Sequence, residues 1–318
     1  MFTEIIDQLL LKKTSFGPEL ETLDHYIAGL IALHDGLQQL GPRIIGKGKR
    51  IRSILYLAIW NKTCCLSEEL KFKTIAILEI IHFASLLHDD VIDGHVVRRG
   101  EPSFAGNHGD KTSILMGDLT VIKMITEFMH LHHDCDIIKN LFLRECSSTA
   151  YGAILEQRLH IESPLSEYVR CASLKTGSLF KLACFLGSYI SVGDFNLARE
   201  MAILGLCVGI IFQLQNDIDG YGSTKFEDSE DYIMKHITFP IVIVRDYFGV
   251  DAQKLFVPQQ SNYEVIRSTI HSAKFRDIAE YVMGKYLAIA RQAVKLTREP
   301  SRTYHDVEQV VSSNRGFS

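Results

Sequence analysis

Asp89 and Asp93 stand four residues apart where a long apolar run ends, in "LLHDDVIDGHVVRRG" (86–100). On a helix that spacing stacks the two carboxylates about one turn, ~5.4 Å, apart. They repel each other there, at the helix end whose dipole least favours negative charge. A cation should relieve the crowding. Hard oxygen ligands on so short a stretch suit Mg²⁺, which takes one or two carboxylates and completes its shell with water and substrate phosphate. Asp90 flanks the pair as a supporting group. Arg98 and Arg99 follow, and guanidinium groups hold phosphate oxygens in bidentate fashion. Metal and arginines together would clamp a diphosphate. The alternative is a solvated acidic turn salt-bridged to its neighbours, and both the apolar approach and the arginine pair count against it.

A second segment, "IFQLQNDIDGY" (211–221), ends another long apolar stretch with Gln213, Asn216, Asp217 and Asp219. Alone it reads as a polar helix end. Facing the first segment, it would put metal on both sides of one diphosphate. Lys49, Arg50 and Arg52 in "GKGKRIR" form a compact anion site at a helix start. Lys175 lies in "KTGSLF", and Lys225 and Lys235 follow the second acidic segment.

Such groups need rigid carriers, and the pattern supplies helices. Apolar residues recur at helical spacing almost throughout, without the sustained alternation a sheet requires. Helices are expected over roughly 20–40, 48–63, 67–89, 110–131, 135–160, 166–190, 194–219, 234–248 and 273–297. The stretches 67–89 and 194–219 are apolar on most faces, as central helices of a bundle are. The reading is one all-α domain over 1–318, a large bundle around a deep central cavity. With 318 residues and 47% hydrophobic content, the chain has ample core material. A net charge of −4 offers no basic field, which argues against nucleic acid. The seven cysteines show no CxxC spacing and read as reduced residues. The N-terminus lacks a signal peptide's pattern. The apolar stretches fall short of the ~20 residues of a membrane span. A soluble, cytoplasmic chain is expected.

In order along the chain, "GKGKRIR", "EIIHFASLLHDDVID", "RRGEPS", "GDKTSILMGD", "KTGSLF" and "FQLQND" resemble the motifs of the trans-prenyltransferases, the polyprenyl diphosphate synthases of the all-α isoprenoid synthase fold. The resemblance implies Mg²⁺-dependent, head-to-tail addition of isopentenyl diphosphate to an allylic prenyl diphosphate. It makes Asp89 and Asp93 the direct metal ligands and Arg98 the holder of the allylic diphosphate. Lys49, Arg52, His82 and Arg99 would hold the isopentenyl diphosphate. Lys175, Thr176 and Gln213 would lie along the allylic chain near the carbocation, where a lysine, a hydroxyl and an amide oxygen orient or offset charge. Away from that resemblance, a lone histidine on an apolar helix such as His82 reads as a hydrogen-bonded core residue. A homodimer is implied, with a heterodimer as the alternative, and the product would pass to membrane enzymes.

The chain departs from the family on one side of the diphosphate. Where the family's second motif is DDxxD, this chain has Asn216, Asp217, Ile218, Asp219 and Gly220. An amide oxygen can reach a metal but carries no charge, so that metal should bind more weakly. Lys225 is roughly in its slot, His236 takes the second lysine's place with Lys235 beside it, and Lys47 replaces a glycine. Three readings follow: a slower synthase, a partner-dependent subunit, or a terpene-cyclase-like enzyme with Asp219, Ser223 and Glu227 as a metal triad. From a different class comes a non-catalytic, prenyl-diphosphate-binding partner. Finally, Ala84 and Ser85, small residues just before the acidic motif, either leave room for a growing chain or let two helices pack closely. If they leave room, Ile81 is the next wall. Each turn of ~5.4 Å then matches about one isoprene unit, giving products longer than about C20, around C30 to C50.

Overall fold

The computed structural model describes residues 13–60, 66–98, 100–222, 230–251, 255, 257 and 259–296. In chain order the elements are α1 (Gly17–Leu33), a 3-10 turn (Gln38–Leu40), α2 (Gly41–Ile44), α3 (Ile51–Ile59) and α4 (Glu68–Ile92). A hairpin of β1 (Val97–Arg98) and β2 (Glu101–Pro102) follows, then α5 (Phe104–His108), α6 (Asp110–Leu131), α7 (Asp136–Glu156) and α8 (Leu165–Ala172). A π-helical segment (Ser173–Gly177) leads into α9 (Ser178–Val192) and α10 (Phe195–Asp219). Last come α11 (Glu230–Ile233), α12 (Phe239–Phe248), α13 (Gln260–Ile270) and α14 (Ala273–Leu296).

The all-α expectation holds, with corrections that have physical causes. The expected helix 20–40 stops at Leu33, since Gly36 takes a φ of 90°. The helix expected from 48 starts at Ile51, because Gly48 and Arg50 have φ of 83° and 54°. The expected helix 166–190 is interrupted by the π-helical segment. That expected from 234 begins at Phe239, with Pro240 in its first turn and Lys235 left-handed at φ 59°. The hairpin and α13 had no counterpart in the sequence reading.

Contacts group the residues into two compact units, each drawn from separate stretches of chain. The unit of Leu9–Glu145 and Leu182–Ala198 is organised on α4, which packs chiefly on α6 and α1. Ser67 opens α4 by accepting from the Leu70 N–H at 3.2 Å, and Glu68 and Glu69 complement the dipole in the first turn. Ile75, Ile77, Leu78, Ile80, Ile81, Ala84 and Leu87 are buried along it. Each large aliphatic side chain among them contributes roughly 1.5–3 kcal/mol. The unit of Cys146–Lys181 and the chain from Arg199 holds α12 against α8, α13 and α14. The helix α10 is long and apolar enough to cross a membrane, with a mean hydropathy of 1.7, but 61% of that window is buried in protein. No disulfide occurs among the described residues.

Candidate active site

The first acidic motif closes α4. The Asp93 N–H donates to Asp89 O at 2.8 Å, and Gly94, at φ 67°, ends the helix in the left-handed turn glycine tolerates. The hairpin then pairs Val97 with Pro102 and Arg98 with Glu101, turning the chain back over the helix end. Its approach is close: a Cβ on Gly106 would lie 2.4 Å from Val96 O. Arg98 Nε thereby donates to Asp90 Oδ1 at 2.6 Å, with Asp90 buried. Asp89 and Asp93 remain half-exposed, one turn apart. The three carboxylates differ in exposure: Asp90 is buried on the arginine, and the outer pair keeps contact with solvent. That donor set fits Mg²⁺, which needs only one or two carboxylates. Among the described residues no three His, Cys, Asp or Glu side chains form a preformed cage. The "GDKTSILMGD" motif docks α6 here. Ser113 Oγ donates to Leu87 O at 2.8 Å, and Gly117 lies so close to His88 that a Cβ would meet its Nε2 at 2.4 Å.

In the same unit, Arg50 anchors the basic loop. Its guanidinium reaches Asp24 at 2.6 Å, Glu79 at 3.1 Å and Ile44 O at 2.7 Å, and Glu79 also accepts from Ser53 Oγ at 2.5 Å. Arg50, a candidate ligand by sequence, is therefore inward-facing and structural. Its neighbours are the outward ones. Lys49 is exposed and Arg52 half-exposed. Burial pushes the Arg52 guanidinium down to about 10, with the negative charge of Glu79 opposing the shift. His82 is half-exposed on α4, Ile81 and Ala84 are buried, and Ser85 Oγ donates to His82 O at 2.8 Å.

The remaining groups belong to the other unit. The π-helical segment carries Lys175 and Thr176, and two glycines admit its neighbours. A Cβ on Gly152 would lie 2.2 Å from Lys175 N, and one on Gly209 would lie 2.8 Å from Gly177 Cα. Such wide single turns cluster at functional sites. Lys175 Nζ pairs with Glu156 Oε2. Thr176 Oγ1 donates to Gln213 Oε1 at 2.7 Å, and Gln213 Nε2 donates to Asp217 Oδ1 at 2.8 Å. The other carboxylate oxygen of Asp217 accepts from Tyr168 OH at 2.5 Å and from the Phe239 N–H at 2.9 Å. Burial, reinforced by the Asp217 charge, raises the Tyr168 phenol well above its usual value. Asn216 is half-exposed and Asp219 exposed, the latter held by Gln215 Nε2 at 2.7 Å. Lys235 is exposed. Arg99, Lys225, Ser223 and Glu227 lie outside the described residues.

Sequence reasoning missed Asp24, Glu79, Tyr168, Glu156 and Gly152. Only Tyr168 left a usable trace, seven residues and two helical turns before Lys175.

The architecture is shared with known all-helical synthases. The structure superposes with a TM-score of 0.81 on a polyprenyl synthase from Caulobacter crescentus complexed with calcium and isoprenyl diphosphate, at 21% identity and over 96% of each chain. The polyprenyl synthetase family profile matches residues 34–255, and the chain belongs to that family. It is 31% identical over 172 residues, 54% of its length, to the geranylfarnesyl diphosphate synthase of Methanosarcina mazei. It is 26% identical over 248 residues, 74% of its length, to heptaprenyl diphosphate synthase component 2 of Bacillus subtilis. The alignments span 57% and 69% of those two relatives' own lengths.

Proposed function

We propose that this chain is a prenyltransferase that joins isopentenyl diphosphate head-to-tail to an allylic prenyl diphosphate, giving an all-trans product of medium to long chain. The observation that carries the proposal is the end of α4, where half-exposed Asp89 and Asp93 stand one turn apart beside an arginine held by Asp90. Asp89 and Asp93 would hold Mg²⁺, with Asn216 the candidate on the second segment. Bound there, the ion neutralises diphosphate charge as it develops on the leaving group. Arg98 binds the allylic diphosphate. Lys49 and Arg52, with His82 and Arg99, bind that of the isopentenyl substrate. The isopentenyl double bond attacks the allylic cation as the diphosphate leaves, and the C–C bond forms. Lys175, Thr176 and Gln213 orient the allylic end and offset its positive charge. Released pyrophosphate takes the proton whose loss completes the new alkene.

A cytoplasmic dimer is part of the reading. Exposed Leu115 and Ile122 lie seven residues apart on α6, with Ile114 beside them, as an apolar stripe for a second subunit. The Bacillus relative is a "component 2", which favours one other reading: a subunit that needs a different partner chain for full activity. Radiolabelled isopentenyl diphosphate, Mg²⁺ and a set of allylic primers test the proposal through label recovered in an organic-extractable product. Incorporation by the purified chain, lost in Asp93→Ala, is expected. Incorporation only after a second cellular subunit is added would support the partner-dependent form.

A further inference from the structure

Asp217 is the residue of the second acidic segment that a metal would be expected to claim, yet it is 5% exposed and three donors converge on it. Tyr168 OH and the Phe239 N–H share Oδ2, and Gln213 Nε2 takes Oδ1. The Phe239 N–H belongs to the first turn of α12, one of the amides that helix geometry leaves without an internal partner. The carboxylate therefore caps that helix and ties it to α8 through Tyr168. A carboxylate held this way is a structural acceptor.

Its effect on Gln213 is directional. An amide side chain has an acceptor end and a donor end, and an ionised carboxylate only accepts. Asp217 therefore compels Gln213 to turn its NH₂ inward, which turns Oε1 the opposite way, to Thr176 Oγ1 at 2.7 Å. We infer that Tyr168 and Asp217 are positioning residues that fix the amide of Gln213, and through it the hydroxyl of Thr176, and that Asp217 is not a metal ligand. The inference rests on the prenyltransferase reading for the use made of Gln213 and Thr176. A carbonyl oxygen held towards the site stabilises developing positive charge without reorganising. An amide turned over would present its N–H donors there instead.

In Asp217→Asn the Phe239 N–H, which can only donate, keeps the new side chain's oxygen, so its NH₂ faces Gln213 and turns that amide over. The expected result is a fall in kcat of about tenfold or more, with the isopentenyl diphosphate KM and the half-activating Mg²⁺ concentration unchanged. Tyr168→Phe, a milder change should the first variant fold poorly, is expected to lower kcat a few-fold in the same pattern. On a Gln213→Ala background, Asp217→Asn should add little further loss, because the two act as one unit. A readout independent of turnover is the rise in melting temperature caused by Mg²⁺ with inorganic pyrophosphate. Positioning predicts that Asp217→Asn keeps this rise from a lower starting temperature. Loss of the rise, or a several-fold higher Mg²⁺ requirement, overturns the inference. If the unaltered chain turns over no substrate, alone or with a second cellular subunit, while Asp217→Asn keeps the rise, the prenyltransferase reading fails and the exclusion of Asp217 as a ligand stands.

Discussion

Replacing Gly152 with Ala moves the wall behind Lys175 and Thr176. The added Cβ would sit 2.2 Å from Lys175 N, 2.7 Å from Lys175 Cα and 2.8 Å from Leu174 C. All three are backbone atoms of the π-helical segment, so no side-chain rotation relieves the clash. Ordinary contact begins near 3.4 Å, which leaves the segment to shift by about an ångström. Overpacking of this kind costs about 1–3 kcal/mol, and the melting temperature should fall by a few degrees. Turnover should suffer more. An ångström of misplacement at a reacting centre costs about 10²-fold, so kcat should drop by that order. The isopentenyl diphosphate KM should hold, because Lys49 and Arg52 belong to the other compact unit. Steady-state kinetics beside a thermal melt decide the matter. A variant that loses stability but keeps full kcat would refute the link between the packing of this segment and chemistry.

Glu79→Gln should cost about 3 kcal/mol, the lower end for breaking a buried ion pair, since Asp24 still holds Arg50. It should also raise the isopentenyl diphosphate KM by loosening the loop of Lys49 and Arg52; chemical denaturation and kinetics check both. His132 is buried on Thr74, and burial pushes its pKa down to about 4 from 6.5. Because the unfolded chain takes up the proton first, about 3 kcal/mol of stability should be lost as pH falls from about 6.5 to about 4. His132→Gln should flatten that slope in melts across the window, and an unchanged slope would assign it to other groups. Ala84→Phe should shorten the product at similar turnover if this buried position borders the growing chain. If it serves helix packing alone, the melting temperature falls and product length stays where it was.

The long helices were legible because their apolar character persists over many turns. The expected 67–89 and 194–219 appear as Glu68–Ile92 and Phe195–Asp219. The elements that aim the side chains were not legible. The hairpin is two residues per strand, too short for any alternation to register, yet it lays Arg98 on Asp90. The π-helical segment is one widened turn between two helices, too short for a period of its own to register. Residue type likewise pointed to Arg50 and Asp217 as ligands. Residue type does not record that both side chains are buried against partners: Arg50 on Glu79 and Asp24, Asp217 on Tyr168 and Phe239.

Chain elongation is measured most directly by counting both products of one reaction. Purified chain is given Mg²⁺, labelled isopentenyl diphosphate and an allylic primer, and released pyrophosphate is assayed while the labelled products are sized. One pyrophosphate per isopentenyl unit incorporated is expected, with a ladder of products reaching beyond about C20, the length that follows if small Ala84 and Ser85 leave room for the growing chain. Pyrophosphate released from the allylic primer alone, with no isopentenyl label in any product, would contradict elongation and assign the site to ionisation without condensation.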